Sequence, residues 1–85
     1  MLKIELMETA GGQPTLRLEG RVIGPWVEEV RRSCEPVLAR GAKLALDLSE
    51  VSFVDRDGVA LFRNLSRQRV ALLNCSPFVA EQLKG

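Results

Sequence analysis

The chain has 85 residues, of which 46% are hydrophobic, and its 12 basic residues nearly balance its 11 acidic ones. This length predicts a single domain spanning residues 1–85, and the balanced charge gives no general attraction to nucleic acid or to an anionic membrane surface. No segment approaches the roughly 18 apolar residues that cross a bilayer, and the N-terminal sequence is unlike a signal peptide. We therefore expect a cytoplasmic protein without direct membrane insertion.

The first half of the chain predicts a β-hairpin followed by a helix. Apolar and charged residues alternate in LKIEL (2–6) and in TLRLEGRV (15–22), as in half-buried strands, and Gly11-Gly12 marks a turn between them. In GPWVEEVRRSCEPVLARG (24–41) the apolar period changes to about 3.6 residues, with Pro25 suited to the first helical position. Pro36 predicts a kink or an early end of this helix, because proline removes a backbone donor.

The second half alternates strands with helices. KLALDLSEVSFVD (43–55) predicts a strand, in which Asp47 is expected to bond backbone amides, and GVALFRNLSRQ (58–68) predicts a second helix. VALLN (70–74) is apolar almost throughout, which favours a short strand covered on both faces. Ser76 is predicted to cap a last helix, PFVAEQLKG (77–85). The predicted anchors of that helix are Phe78, Val79 and Leu83.

This order of elements predicts an α/β fold with a mixed four-stranded sheet. An N-terminal antiparallel hairpin precedes parallel strands, and about three helices pack on the sheet, because strands joined by helices pair in parallel through right-handed crossovers. Cys34 and Cys75 lack the close spacing of a redox or zinc site. We expect both to be free thiols, since cytosolic disulfides are rare.

The candidate functional residues follow the third strand. Asp55, Arg56, Asp57 and Gly58 lie between the carboxyl end of that strand and the start of the second helix, where open α/β sheets place functional groups. Asp57 is the expected N-cap of the helix. On local physics alone, one interpretation is purely structural: Asp57 stabilises the helix by about 1 kcal/mol, Asp55 ends the strand, and Arg56 faces water.

The segment LALDLSEVSFVDRDGVALFRNL (44–65) resembles the central strand, loop and helix of STAS domains, the group typified by bacterial anti-sigma factor antagonists. LRLEGRVIGPWVEEVRR (16–32) is similar to their second strand and first helix, and VALLNCSP (70–77) to their fourth strand and the turn after it. The resemblance covers nearly the whole chain. It implies a STAS-like fold that is short at the C-terminus.

The resemblance also implies a non-catalytic protein-interaction module. In sporulation-type antagonists a hydroxyl residue of this loop is phosphorylated by a kinase that is also the anti-sigma factor, and the phosphate blocks their contact. Asp55 matches the family aspartate, Arg56 the first hydroxyl position, Asp57 the phosphoacceptor and Gly58 the glycine. Neither Arg56 nor Asp57 has a hydroxyl, so Asp57 is interpreted as a permanent, imperfect mimic of phosphoserine.

The predicted contact surface joins this loop to its neighbours in the expected fold. Its members are Ile23, Gly24, Pro25, Asp55, Arg56, Asp57, Gly58, Val59 and Arg63. The expected partner is a kinase-like anti-sigma factor, and the alternative is an ATPase subunit of a membrane lipid transporter, which this protein would serve as an accessory. A second copy of the chain is a further candidate.

A third hypothesis makes Asp57 an aspartyl-phosphate acceptor. That chemistry needs clustered carboxylates for magnesium and a lysine for the phosphoryl group, and no such acidic pair or lysine ends another predicted strand. The chain has no histidine, which excludes Ser-His and Cys-His nucleophile pairs. We expect no enzymatic activity, no cofactor and no metal site.

Overall fold

The structure is a computed structural model that describes residues 2–8 and 12–84. Gly11 of the predicted first turn lies outside these residues. The elements in chain order are β1 (Leu2–Met7), β2 (Thr15–Val22), α1 (Pro25–Ala39), β3 (Ala45–Val54), α2 (Arg56–Arg67), β4 (Ala71–Leu73) and α3 (Pro77–Lys84).

The strands form one sheet in the order β1-β2-β3-β4. β1 pairs with β2 antiparallel, whereas β2 with β3 and β3 with β4 pair in parallel. The register between β2 and β3 shifts twice, between Arg17 and Glu19 and between Gly20 and Arg21. The predicted fold, a mixed four-stranded sheet with three helices, is confirmed.

The core lies on one face of the sheet. Alternate residues of the strands meet the helices there, whereas Lys3, Glu5, Arg17 and Glu19 occupy the opposite face and stay out of the core. Phe62 of α2 is the largest fully buried side chain. The other side chains with no exposed surface are Leu18, Val22, Val30, Cys34, Leu44, Leu46, Leu48, Val54 and Val79. None of the helices within residues 2–8 and 12–84 combines the length and the apolar character that crossing a bilayer requires.

Pro36 does not end the first helix early, contrary to one of the two predicted outcomes, because α1 continues to Ala39. A proline inside a helix costs about 3 kcal/mol or more. Cys34 and Val37 on either side of it are buried in the core, while Pro36 itself is exposed. The burial of these neighbours offsets the lost backbone bond and keeps the last turn helical.

Two predictions about burial near the C-terminus are wrong. β4 has only three residues and lies at the edge of the sheet, so Leu73 is 41% exposed and the strand is not covered on both faces. Phe78 does not anchor α3, since it is 56% exposed; fully buried Val79 does. The ring of Phe78 lies 6.2 Å from that of Phe53, which is also exposed. The predicted Ser76 cap is confirmed, because its Oγ accepts from the Val79 N–H at 3.2 Å.

A side-chain amide continues the edge of the sheet where β4 stops. The pairing of β4 with β3 ends at Leu73 and Asp47, although β3 continues to Val54. Gln82 of α3 covers the far end of β3: its Oε1 accepts from the Val54 N–H at 3.2 Å and its Nε2 donates to the Val54 carbonyl at 2.7 Å. Gln82 thus takes the place of a paired strand residue.

We expect Gln82→Ala to lower the free energy of unfolding by about 1–2 kcal/mol, because it leaves two partly buried backbone groups without protein partners. Urea denaturation measures the loss, and exchange of the Val54 amide hydrogen should become faster. Glu81→Ala is the matched control, since Glu81 is exposed in the same helix and should change stability by less than about 0.5 kcal/mol. Equal losses in the two variants would contradict the role of Gln82.

Candidate functional site

The N-cap of α2 is Asp55, and the prediction that Asp57 caps this helix is wrong. Asp55 has extended backbone angles, and its Oδ1 accepts from the Gly58 N–H at 2.8 Å. This is the bond from the cap to the third helical residue that satisfies one of the free donors of a first turn. Asp57 is the second helical residue and is exposed. Capping therefore accounts for Asp55 and leaves the exposed Asp57 carboxylate unexplained.

Asp55 also joins the two halves of the predicted surface. Its second oxygen, Oδ2, accepts from the Gly24 N–H at 2.8 Å, and its own N–H donates to the Val22 carbonyl at 3.1 Å. Gly24 precedes Pro25, the first residue of α1, with φ of 53°, a left-handed conformation that glycine adopts without strain. The turn at Ile23, Gly24 and Pro25 thus lies beside Arg56 and Asp57 on one surface. Gly58, which was predicted to belong to this surface, is buried beneath it.

Gly58 permits a close approach of α2 to the strand ends. A Cβ at this position would lie 2.6 Å from Val54 Cγ1 and 2.9 Å from the Val22 carbonyl oxygen. Gly58 is buried, so any side chain here has to displace β2 or β3. The absence of a side chain at Gly58 allows the first turn of α2 to pack directly on the ends of β2 and β3.

Charge at this surface is divided between two sides of α2. Asp57 lies in the first turn, where the helix dipole favours a negative group. Arg56 and Arg63 lie about two helical turns apart on another side of the helix, facing α3. The half-buried Arg63 donates from Nε to the Leu83 carbonyl of α3 at 3.1 Å. The site therefore has an acidic side at Asp57 and a basic side at the two arginines.

An open groove of about 390 Å³ runs between α2 and α3 on the basic side. The predicted residues Asp55, Arg56, Val59 and Arg63 line it. Val54, Ala60 and Gln82 also line it and were not predicted. Ala60 was accessible to sequence reasoning, since it lies four residues after Arg56 on the same face of a predicted helix. Nothing in the sequence places Gln82 beside it, because that contact depends on how α3 docks.

Metal binding and thiol chemistry each depend on the ionisable side chains of the described residues. Residues 2–8 and 12–84 contain no group of three or more histidine, cysteine, aspartate or glutamate side chains that could hold a metal ion. Burial raises the pKa of the Cys34 thiol to about 11 and also raises the pKa of Cys75. Both thiols are free, as predicted, and a thiol with so high a pKa holds its proton at neutral pH.

Asp47 has the structural role predicted for it. Its Oδ1 accepts from the Ser49 N–H at 3.0 Å and from Asn74 Nδ2 at 3.3 Å. The backbone hydrogen bond from Ser49 is the largest cause that holds the pKa of this carboxyl below its usual value. Asp47 lies near the start of β3, at the opposite end of the strand from Asp55, so it is not part of the surface described above.

Comparison with known proteins gives a match over nearly the whole chain. A protein-family model described as "Mlab, STAS domain" matches residues 6–84. The structure of the anti-sigma factor antagonist SpoIIAA in its unphosphorylated form superimposes with a TM-score of 0.75 at 23% identity, covering 96% of this chain and 82% of that one.

A second solved structure shares the fold at a lower similarity. An uncharacterized DUF3478 protein with a SpoIIAA-like fold, from Shewanella loihica PV-4, superimposes with a TM-score of 0.60 at 14% identity, covering 91% of this chain and 69% of that one. A search of curated proteins gave no match.

Proposed function

This chain belongs to the STAS domain family, and from that membership we propose that it is a non-catalytic protein-interaction module of the anti-sigma factor antagonist type. The observation that supports this proposal is the exposed carboxylate of Asp57 in the first turn of α2, at the position that matches the family phosphoacceptor. The adjoining turn at Gly24 is held to the same surface by Asp55. The partner of this cytoplasmic module is a kinase-like anti-sigma factor.

The proposed regulation follows from the chemistry of Asp57. A phosphoserine carries a charge of about −1.5 to −2 and three acceptor oxygens, whereas aspartate carries one charge on a shorter arm. Asp57 forms no hydrogen bond or ion pair with residues 2–8 or 12–84, so its carboxylate is available to a partner. Because Asp57 is always charged and has no hydroxyl, a kinase cannot change the charge at this residue, and the affinity for the partner stays constant.

We expect Asp57→Arg to weaken partner binding at least tenfold, because it reverses the charge at the centre of the proposed contact, where one unpaired charge is worth more than about 1.4 kcal/mol. Affinity capture from a lysate of the source organism identifies the partner, and titration with that purified partner measures the change. Glu50→Arg is the matched control, since Glu50 is exposed on β3 away from α2. Identical partners and affinities for wild type and Asp57→Arg would show that Asp57 serves the helix alone.

The loss of kinase control is tested separately with the purified protein and the captured kinase-like partner. Mass spectrometry should find no phosphate on the wild type, whereas Asp57→Ser should acquire one. A phosphate on the wild type would contradict this proposal, and the exposed serines at which to look for it are Ser49, Ser52 and Ser66.

One observation favours the second candidate, an accessory subunit of a lipid-transport ATPase. Phe53 and Phe78 are 38% and 56% exposed, and their rings lie 6.2 Å apart. Exposed aromatic pairs mark surfaces that a stable partner covers. Copurification of an ATPase subunit at fixed stoichiometry, lost in Phe53→Ser/Phe78→Ser and retained in Asp57→Arg, would favour this candidate over the first.

A further inference from the structure

The groove between α2 and α3 combines an apolar floor with two arginines. Val59 and Ala60 provide the accessible apolar surface, over fully buried Val54, and Arg56 and Arg63 line the same groove from α2. Its volume of about 390 Å³ lies within the range of small-molecule clefts, which are likewise apolar with a few fixed polar groups. The groove therefore has room for at least one apolar side chain.

The polar groups of the groove floor and wall are already bonded. The Val54 N–H and carbonyl are both bonded to the side chain of Gln82. The two carboxylate oxygens of Asp55 accept from the backbone N–H groups of Gly24 and Gly58. What remains for an incoming group is apolar surface and the guanidinium groups of the two arginines.

Neither arginine has an acidic partner among residues 2–8 and 12–84, whereas Arg31 and Arg32 of α1 pair with glutamates. Arg63 uses Nε to bond the Leu83 carbonyl, which fixes the plane of its guanidinium and leaves the Nη donors free of bonds to these residues. Arg56 is the exposed first residue of α2, and its guanidinium forms no hydrogen bond or ion pair with these residues. Both positions are thus suited to an incoming carboxylate.

We propose that this groove binds a segment of the partner protein in which an apolar side chain is flanked by carboxylates. The apolar side chain packs on Val59 and Ala60, and the carboxylates accept hydrogen bonds from Arg56 and Arg63. Charge complementarity selects an acidic segment, because among residues 2–8 and 12–84 the carboxylate that lines the groove is that of Asp55, and it is bonded to backbone donors. This inference rests on the proposed function in one respect: it assumes that the groove is occupied by a segment of a partner protein.

Short synthetic peptides test the groove without the natural partner. The probe is acetyl-Glu-Leu-Leu-Glu-amide, titrated into ¹⁵N-labelled protein and followed by NMR. We expect it to shift the amide signals of Ala60 and Arg63 and to bind at least fivefold more tightly than the Gln-Leu-Leu-Gln and Glu-Ser-Ser-Glu peptides. Equal binding of a Lys-Leu-Leu-Lys peptide would overturn the inference, as would equal shifts of the same signals by inorganic phosphate, ATP or anionic lipid vesicles.

Variants test the role of the arginines. Arg56→Gln/Arg63→Gln should weaken binding of the acidic peptide about tenfold, and added salt should weaken the wild-type interaction in the same direction. Arg63→Lys retains the positive charge and should keep most of the preference for the acidic peptide. If Arg63 served only to bond the Leu83 carbonyl, its charge would have no effect on peptide preference. Arg21→Gln is the matched control, since it removes one exposed charge on β2 and should leave binding unchanged. An effect of Arg21→Gln equal to that of the double variant would overturn the inference.

The peptide titration tests the groove and the Asp57→Arg experiment tests the proposed function, so either proposal can be refuted without the other. If partner capture does not depend on Asp57 but the acidic peptide still prefers the groove, the proposed function is wrong and the groove assignment stands. If capture depends on Asp57 but acidic and neutral peptides bind equally, only the groove assignment is wrong.

Discussion

Gly58→Ala is expected to lower the free energy of unfolding by about 3 kcal/mol, which for a domain of this size corresponds to a fall in Tm of about 12–24 °C. The added Cβ would lie 2.6 Å from Val54 Cγ1 and 2.9 Å from the Val22 carbonyl oxygen. Val54 is fully buried and β-branched, so its side chain has little freedom to rotate away from the first contact. The second involves backbone at the end of β2 and is relieved only if α2 moves away from the sheet.

Thermal and urea denaturation measure this effect, with Gly24→Ala as the comparison. Gly24 has no atom within 4 Å of the position its Cβ would take, but its φ is +53° and its ψ is −130°, so alanine there should cost only the backbone strain, about 1–3 kcal/mol. A loss below about 1 kcal/mol for Gly58→Ala would show that α2 does not approach the strands as closely as described.

Asp55→Ala is expected to lower the free energy of unfolding by about 2 kcal/mol, because it removes an N-cap and a second charge-assisted hydrogen bond together. The two bonds go to Gly58 in α2 and to Gly24 before α1. Asp55→Asn should fall between alanine and wild type. An amide retains one oxygen for a backbone donor but presents its NH₂ group to the other.

Urea denaturation of the four proteins wild type, Asp55→Ala, Asp55→Asn and Asp57→Asn separates the two aspartates. Asp57→Asn should cost less than about 1 kcal/mol, since it removes only an exposed charge from the first turn of α2. The amide hydrogens of Gly24 and Gly58 should exchange faster in Asp55→Ala. Equal losses for Asp55→Ala and Asp57→Asn would reverse the assignment of the cap.

The assignment of the cap shows where sequence reasoning reached its limit. Asp55 and Asp57 are both good N-cap residues, and a helix beginning at Arg56 or at Gly58 fits the local pattern equally well. The structure resolves this through Gly24, 31 residues earlier, whose N–H is bonded by Asp55. The type and order of the helices and strands depended on periodicity along the chain and were predictable; a bond between distant turns was not.

The exposure of the C-terminal residues was misjudged for a related reason. VALLN is apolar almost throughout, which is equally compatible with a central strand and with a three-residue edge strand. Only the sheet order places β4 at the edge and exposes Leu73. The groove beside α2 depends in the same way on how α3 docks, since Gln82 reaches Val54 from 28 residues away.

The bond between Gln82 and Val54 bears on the solubility of the protein. Beyond its short pairing with β4, β3 has an edge to which a strand of another molecule is able to add, and such edges lead to aggregation when they are left open. α3 lies along this edge, and its glutamine occupies the backbone groups at the far end. Undocking of α3 therefore exposes this edge as a template for intermolecular β-sheet growth.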